Sequence, residues 1–187
     1  MKERKVDKID FIISETEYEK IIFRFRPNES SCHSHNDKPP TSWREVYKVY
    51  YSYQIVKIDY EGDCSVLYDE HCDECSVIDE VAARCKLLSE GKKQVVVTRK
   101  NFDDEEESRT IKLLDNEIYP IGDGTSWFIR TDPLRRTIAH KRLYEISLFK
   151  GFDNVGYRFW LTKNQLGKFG QYLEDCCEYM LAHGDPI

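Results

Sequence analysis

Gly156-Tyr157-Arg158-Phe159-Trp160-Leu161-Thr162-Lys163-Asn164-Gln165-Leu166-Gly167-Lys168-Phe169 is the stretch on which the fold turns. Its opening half, up to Leu161, has the aromatic content of a strand with one buried face. Thr162 and Gln165 then stand at the spacing of a capping box, in which hydroxyl and side-chain amide satisfy two backbone donors left open at a helix start. Downstream, Leu166, Phe169, Leu173, Cys176 or Cys177, Met180 and Leu181 recur at three- and four-residue steps, so one side of the helix is apolar and the other charged. His183 and Gly184 suit a helix C-terminus, and Pro186 forbids continuation. A strand running directly into a long helix therefore closes the chain.

The remainder reads mostly as sheet. Val6 to Ile13 and Tyr18 to Arg26 are the arms of a hairpin; Ile21, Phe23 and Phe25 alternate with Ile22, Arg24 and Arg26, so the two arginines belong to a solvated face rather than to an anion site. Pro27 to Ser42 is a long loop. Trp43 to Asp59 is a central strand packed on both sides, or a long strand bent midway, with Cys64 to Tyr68 as a short return. A helix follows from an N-cap at Ser76, buried through Ile78, Val81, Ala82, Cys85 and Leu88 and closed by Gly91. Gln94 to Arg99 and Arg109 to Leu114 are strands, and their connection carries Asp103, Asp104, Glu105, Glu106 and Glu107, which must be solvated. Asn116 to Ile121 extends the sheet, Trp127 to Ile129 lies in a strand, Thr131-Asp132-Pro133 opens a short helix or turn, and Leu143 to Phe149 is a strand.

Hairpins come first and a long helix last, without the alternation of a parallel sheet. The expected fold is α+β: a mainly antiparallel, twisted sheet of about six to nine strands with two principal helices on one face. No repeat, low-complexity tract or composition shift divides the chain, so residues 1–187 are expected to form a single α+β domain.

A net charge of −6 and a pI near 5.5 repel nucleic acid and anionic membranes on average. Neither an apolar leader nor a span-length apolar run occurs in the sequence, which gives a cytoplasmic expectation. Seven cysteines cannot all pair within one chain, so reduced thiols are expected.

The candidate metal site is Cys72 and Cys75, at knuckle spacing beside His71, joined by Cys32 and His35 from the long loop. Zinc is the ion such a set would take, as a structural pin; otherwise no cofactor is expected. A redox role for Cys72 and Cys75 is opposed by Asp69, Glu70, Asp73 and Glu74, which disfavour thiolate. The candidate partner-binding residues are Arg135, Arg136, Lys141 and Arg142 on a basic segment, and Asp103, Asp104, Glu105 and Glu106 on an acidic one. No phosphate loop, nucleophile elbow or dinucleotide fingerprint occurs. The leading expectation is a non-enzymatic, protein-binding or inhibitory protein of bacterial or phage type, of the immunity or anti-defence kind, acting by surface complementarity. Nucleic acid is set aside as a partner because no aromatic platform accompanies the basic segment. A zinc-stabilised regulatory or nucleic-acid-binding module, and a hydrolase or transferase with an unrecognised site, stand as alternatives.

Overall fold

Thr162 and Gln165 cap each other as the spacing predicts: the Thr162 amide donates to Gln165 Oε1 at 2.9 Å, and the Gln165 amide donates to Thr162 Oγ1 at 3.3 Å. In this computed structural model, which describes residues 10–26, 50–100, 105–113, 125–150 and 156–183, that junction ends one strand and begins the longest described helix. The strands are β1 (Asp10–Glu15), β2 (Glu19–Arg26), β3 (Tyr50–Asp59), β4 (Cys64–Glu74), β5 (Gln94–Lys100), β6 (Glu106–Lys112), β7 (Thr125–Arg136), β8 (Arg142–Lys150) and β9 (Gly156–Thr162). The helices are α1 (Cys75–Glu90) and α2 (Lys163–His183).

The fold is α+β and every described strand pairing is antiparallel, as expected, but the strands do not form one sheet. They divide into β1-β2-β3-β4, the hairpin β5-β6, and β7-β8-β9. The larger sheets share one core with both helices. Phe169 of α2 is fully buried, and its ring meets those of Phe11, Phe23, Trp127, Phe159 and Tyr172, drawn from β1, β2, β7, β9 and α2 itself. Removing a ring so placed costs about 3–5 kcal/mol.

Helix α1 is apolar on two sides. Ile78, Val81, Ala82 and Cys85 enter the main core, while Ala83 and Leu87 pack under the β5-β6 hairpin against Ile111, Val95 and Val97. Arg84 pins this hairpin, donating to the Lys112 carbonyl at 2.8 Å while paired with Glu80 at 2.7 Å. Gly91, at φ 69°, closes the helix, and the Lys92 amide donates to the Leu87 carbonyl at 3.0 Å.

Two expected elements change. Strand β4 does not stop at Tyr68 but runs to Glu74, because its backbone stays in register with Tyr50 to Tyr53 of β3. The short helix or turn expected from Thr131 is replaced by strand: Thr131 and Asp132 remain paired with Tyr144 and Leu143, so the strand continues to Arg136. Pro133 falls inside the irregularity between Asp132 and Arg136, where a residue without an amide proton can be placed in a strand. The expected strands or loops at 27–49 and 114–124 lie outside the described residues.

Candidate functional site

The end of the third sheet, the start of α2 and the end of α1 enclose a cleft of about 870 Å³. It is lined by Ser89 of α1, Lys141, Arg142 and Tyr144 at the start of β8, and Thr162, Lys163, Asn164, Gly167, Lys168 and Gln171 along the first turns of α2. Four of these residues are cations, all exposed, and none is a carboxylate. The capping box fixes α2 so that its N-terminus opens here, and the helix dipole adds positive potential at that end.

The face of β7-β8-β9 turned away from the core carries a second group of side chains. Its cross-strand register sets Phe128, Ser147 and Arg158 in one row and Arg130, Glu145 and Trp160 in the next. Glu145 is only 3% exposed and holds the face together: Arg130 Nε donates to it at 2.8 Å, Ser147 Oγ donates at 2.9 Å, and Arg158 lies at 3.6 Å. Two arginines thus share one carboxylate, leaving positive charge over. The Arg135 guanidinium stands 3.5 Å from the centre of the Trp160 ring, a cation–π contact, and Phe128 and Phe149 meet edge to face at 5.2 Å.

Arg135, Arg136, Lys141 and Arg142 are thereby brought together, but on the β7-β8 hairpin and not on a helix. Of the acidic set, Asp103 and Asp104 lie outside the described residues; Glu105 and Glu106 are exposed at the start of β6, on a different hairpin. Cys32 and His35 also lie outside them. Cys72 falls in β4 and Cys75 opens α1, so the expected loop knuckle is a strand-to-helix junction. Among the described residues no group of histidine, cysteine and acid side chains is placed to hold a metal. Arg24 is a cross-strand partner of Asp10, with contacts at 3.1 and 3.3 Å, in keeping with its reading as a solvated-face residue.

A second cavity, of about 320 Å³ beneath the β5-β6 hairpin, has a mixed lining that includes Asp79, Glu90 and Glu174. Its one cation, Lys86, is bound to Glu174. Neither cavity lining contains a histidine or cysteine. Lys163 and Lys168 were not singled out in the sequence, since both read as the polar side of an amphipathic helix.

No family model matches the sequence, and no curated protein matches it. Solved structures similar to it include two plant proteins. The plant transcriptional regulator PBF-2 has 8% identity and a TM-score of 0.36, over 94% of this chain and 91% of that one. WHY1 from Arabidopsis thaliana has 7% identity and a TM-score of 0.35, over 94% and 86%. At these scores no residue role is carried across. The expectation of a protein-binding inhibitor, with nucleic acid an unlikely partner, is corrected at its premise: the sheet register sets aromatic rings beside the arginines, where linear spacing showed none.

No described helix is long and apolar enough to cross a membrane.

Proposed function

We propose that this chain binds single-stranded nucleic acid, with backbone phosphates in the cleft at the start of α2 and bases against the outer face of β7-β8-β9. The observation that carries the reading is the cleft itself: Lys141, Arg142, Lys163 and Lys168 converge without a carboxylate in a chain whose net charge is −6. Random distribution of an acidic protein's charges does not favour such a lining. Phosphates gain from it by releasing condensed counterions, and from the helix N-terminus by dipole alignment.

The class of nucleic acid follows from the outer face of the same sheet. Phe128, Phe149 and Trp160 are half-buried and interleaved with Arg130, Arg135 and Arg158, a composition that accepts stacked bases together with their phosphates. Paired bases in a duplex present no open ring face to such a surface. The acidic remainder of the molecule confines binding to this region and disfavours non-specific coating.

The test is a titration of labelled single-stranded and duplex oligonucleotides at several salt concentrations. Saturable binding that prefers the single strand, and weakens with log salt at a slope of about −0.7 for each phosphate neutralised, supports the reading. Equal binding to duplex removes the stacking part, and no binding at low salt removes all of it.

A further inference from the structure

The β7-β8 hairpin bears two large, exposed apolar side chains near its tip: Leu134 is 91% exposed and Ile138 fully so. They stand within a segment carrying Arg130, Arg135, Arg136, Lys141 and Arg142 against a single acid, Asp132. The turn that carries Ile138 is held firmly. The His140 amide donates to the Thr137 carbonyl at 2.9 Å, the Thr137 amide to the Lys141 carbonyl at 3.0 Å, and the Lys141 amide to Thr137 Oγ1 at 3.1 Å. His140 takes φ 58°, a left-handed conformation uncommon for residues with a Cβ, among which histidine is one of those that adopt it more often.

We infer that Leu134 and Ile138 form an apolar wedge that enters between neighbouring bases of a strand whose phosphates lie in the cleft; this rests on the function proposed above. Two features commit the tip to that occupant. It is continuous with the cleft, since Lys141 and Arg142 leave the turn and line the cavity directly. It is also cationic on both arms, so an apolar partner of neutral or positive surface gains nothing from the flanking charge, whereas a polyanion does. Apolar side chains on a rigid, arginine-flanked arm are suited to parting stacked bases while the cations hold the backbone on either side. Tight turn bonding matters because a wedge that ordered only on binding would lose much of its gain to entropy.

The experiment compares the wild-type chain with a Leu134→Ser/Ile138→Ser variant on a single-stranded oligonucleotide containing 2-aminopurine, whose fluorescence rises when its neighbours unstack. Both substitutions lie at exposed positions, and an unchanged melting temperature verifies the fold. The inference predicts a fluorescence rise with the wild-type chain, its loss in the variant, and affinity weaker by about tenfold, equivalent to 1.4 kcal/mol, at an unchanged salt slope. Equal affinity and equal fluorescence overturn the wedge while leaving the cleft reading intact. No binding by the wild-type chain overturns both. Binding of the wild-type chain, but not the variant, to vesicles of phosphatidylcholine and phosphatidylglycerol, with oligonucleotide binding alike in the two, overturns the wedge and assigns the tip to a lipid surface.

Discussion

Gly170 of α2 and Ala82 of α1 lie so close that a Cβ at Gly170 would stand 2.8 Å from the Ala82 carbonyl oxygen. The same atom would meet Lys86 Cγ at 2.8 Å and Cys85 Cβ at 3.1 Å. The helices therefore cross at a glycine, and this close approach aims the start of α2 at the cleft. Gly170→Ala gains about 0.8–1 kcal/mol of helix propensity but drives a methyl into backbone that cannot rotate away. A net loss of about 1–2 kcal/mol is expected by denaturant titration. Gly167→Ala faces Ser89 Oγ at 2.9 Å, a hydroxyl that can turn aside, and should lose less.

Chemical reactivity of the thiols should separate surface from core. Cys85 and Cys176 are both fully buried, and burial pushes each thiol well above its ordinary range, while Cys64 is exposed. Alkylation of the native protein followed by mass mapping should label Cys64 and spare Cys85 and Cys176. Labelling of all three at equal rates would mean that the α1–α2 seam opens freely.

Stability should fall on the alkaline side. Burial raises Cys85 and Cys176 from their ordinary value of 9.0 and Tyr172 from 10.0, so the unfolded chain gives up these protons first. The contribution is complete below about pH 9 and is lost progressively as pH climbs from there toward the folded-state values. Unfolding free energies measured across that range should decline, with tyrosinate absorbance from Tyr172 appearing only as the protein unfolds. Tyr172→Phe also removes the bond by which its hydroxyl accepts the Phe25 amide at 3.3 Å, at a cost of about 1 kcal/mol.

His140→Gly should stabilise the hairpin. A left-handed residue with a Cβ bears about 1–2 kcal/mol of strain, against about 0.5–1 kcal/mol for the greater unfolded freedom of glycine. The expected net gain is about 0.5–1 kcal/mol in unfolding free energy. A loss would mean that the imidazole contributes a contact larger than the strain it imposes.

What the sequence discloses here is local. The capping pair Thr162 and Gln165, the stripe through Leu166, Phe169 and Leu173, and the burial of Cys85 depend on spacing within one element, and each is found where that spacing puts it. The second apolar side of α1 was less visible, because Leu87 and Ala83 fill it sparsely and their partners arrive only with the β5-β6 hairpin. The basic segment stood out by composition, yet its conformation was misread: Asp132-Pro133 opens a helix as readily as it interrupts a strand, and pairing with β8 decides between them. The aromatic and arginine rows could not be read at all along the chain. Arg130, Glu145 and Trp160 are neighbours through register alone, and Lys163 joins Arg142 only once α2 is docked on its glycine seam.

The central claim rests on the charge of one cleft, and reversing that charge tests it most directly. Binding of a fluorescein-labelled single-stranded oligonucleotide to the wild-type chain and to an Arg142→Glu/Lys163→Glu/Lys168→Glu variant is followed by anisotropy at low salt. These residues are exposed, so the variant should keep its fold and its melting temperature. The account predicts saturable wild-type binding and a loss of at least about tenfold in the variant, with a shallower salt dependence. Equal binding by the two proteins, or none by the wild type, would contradict it.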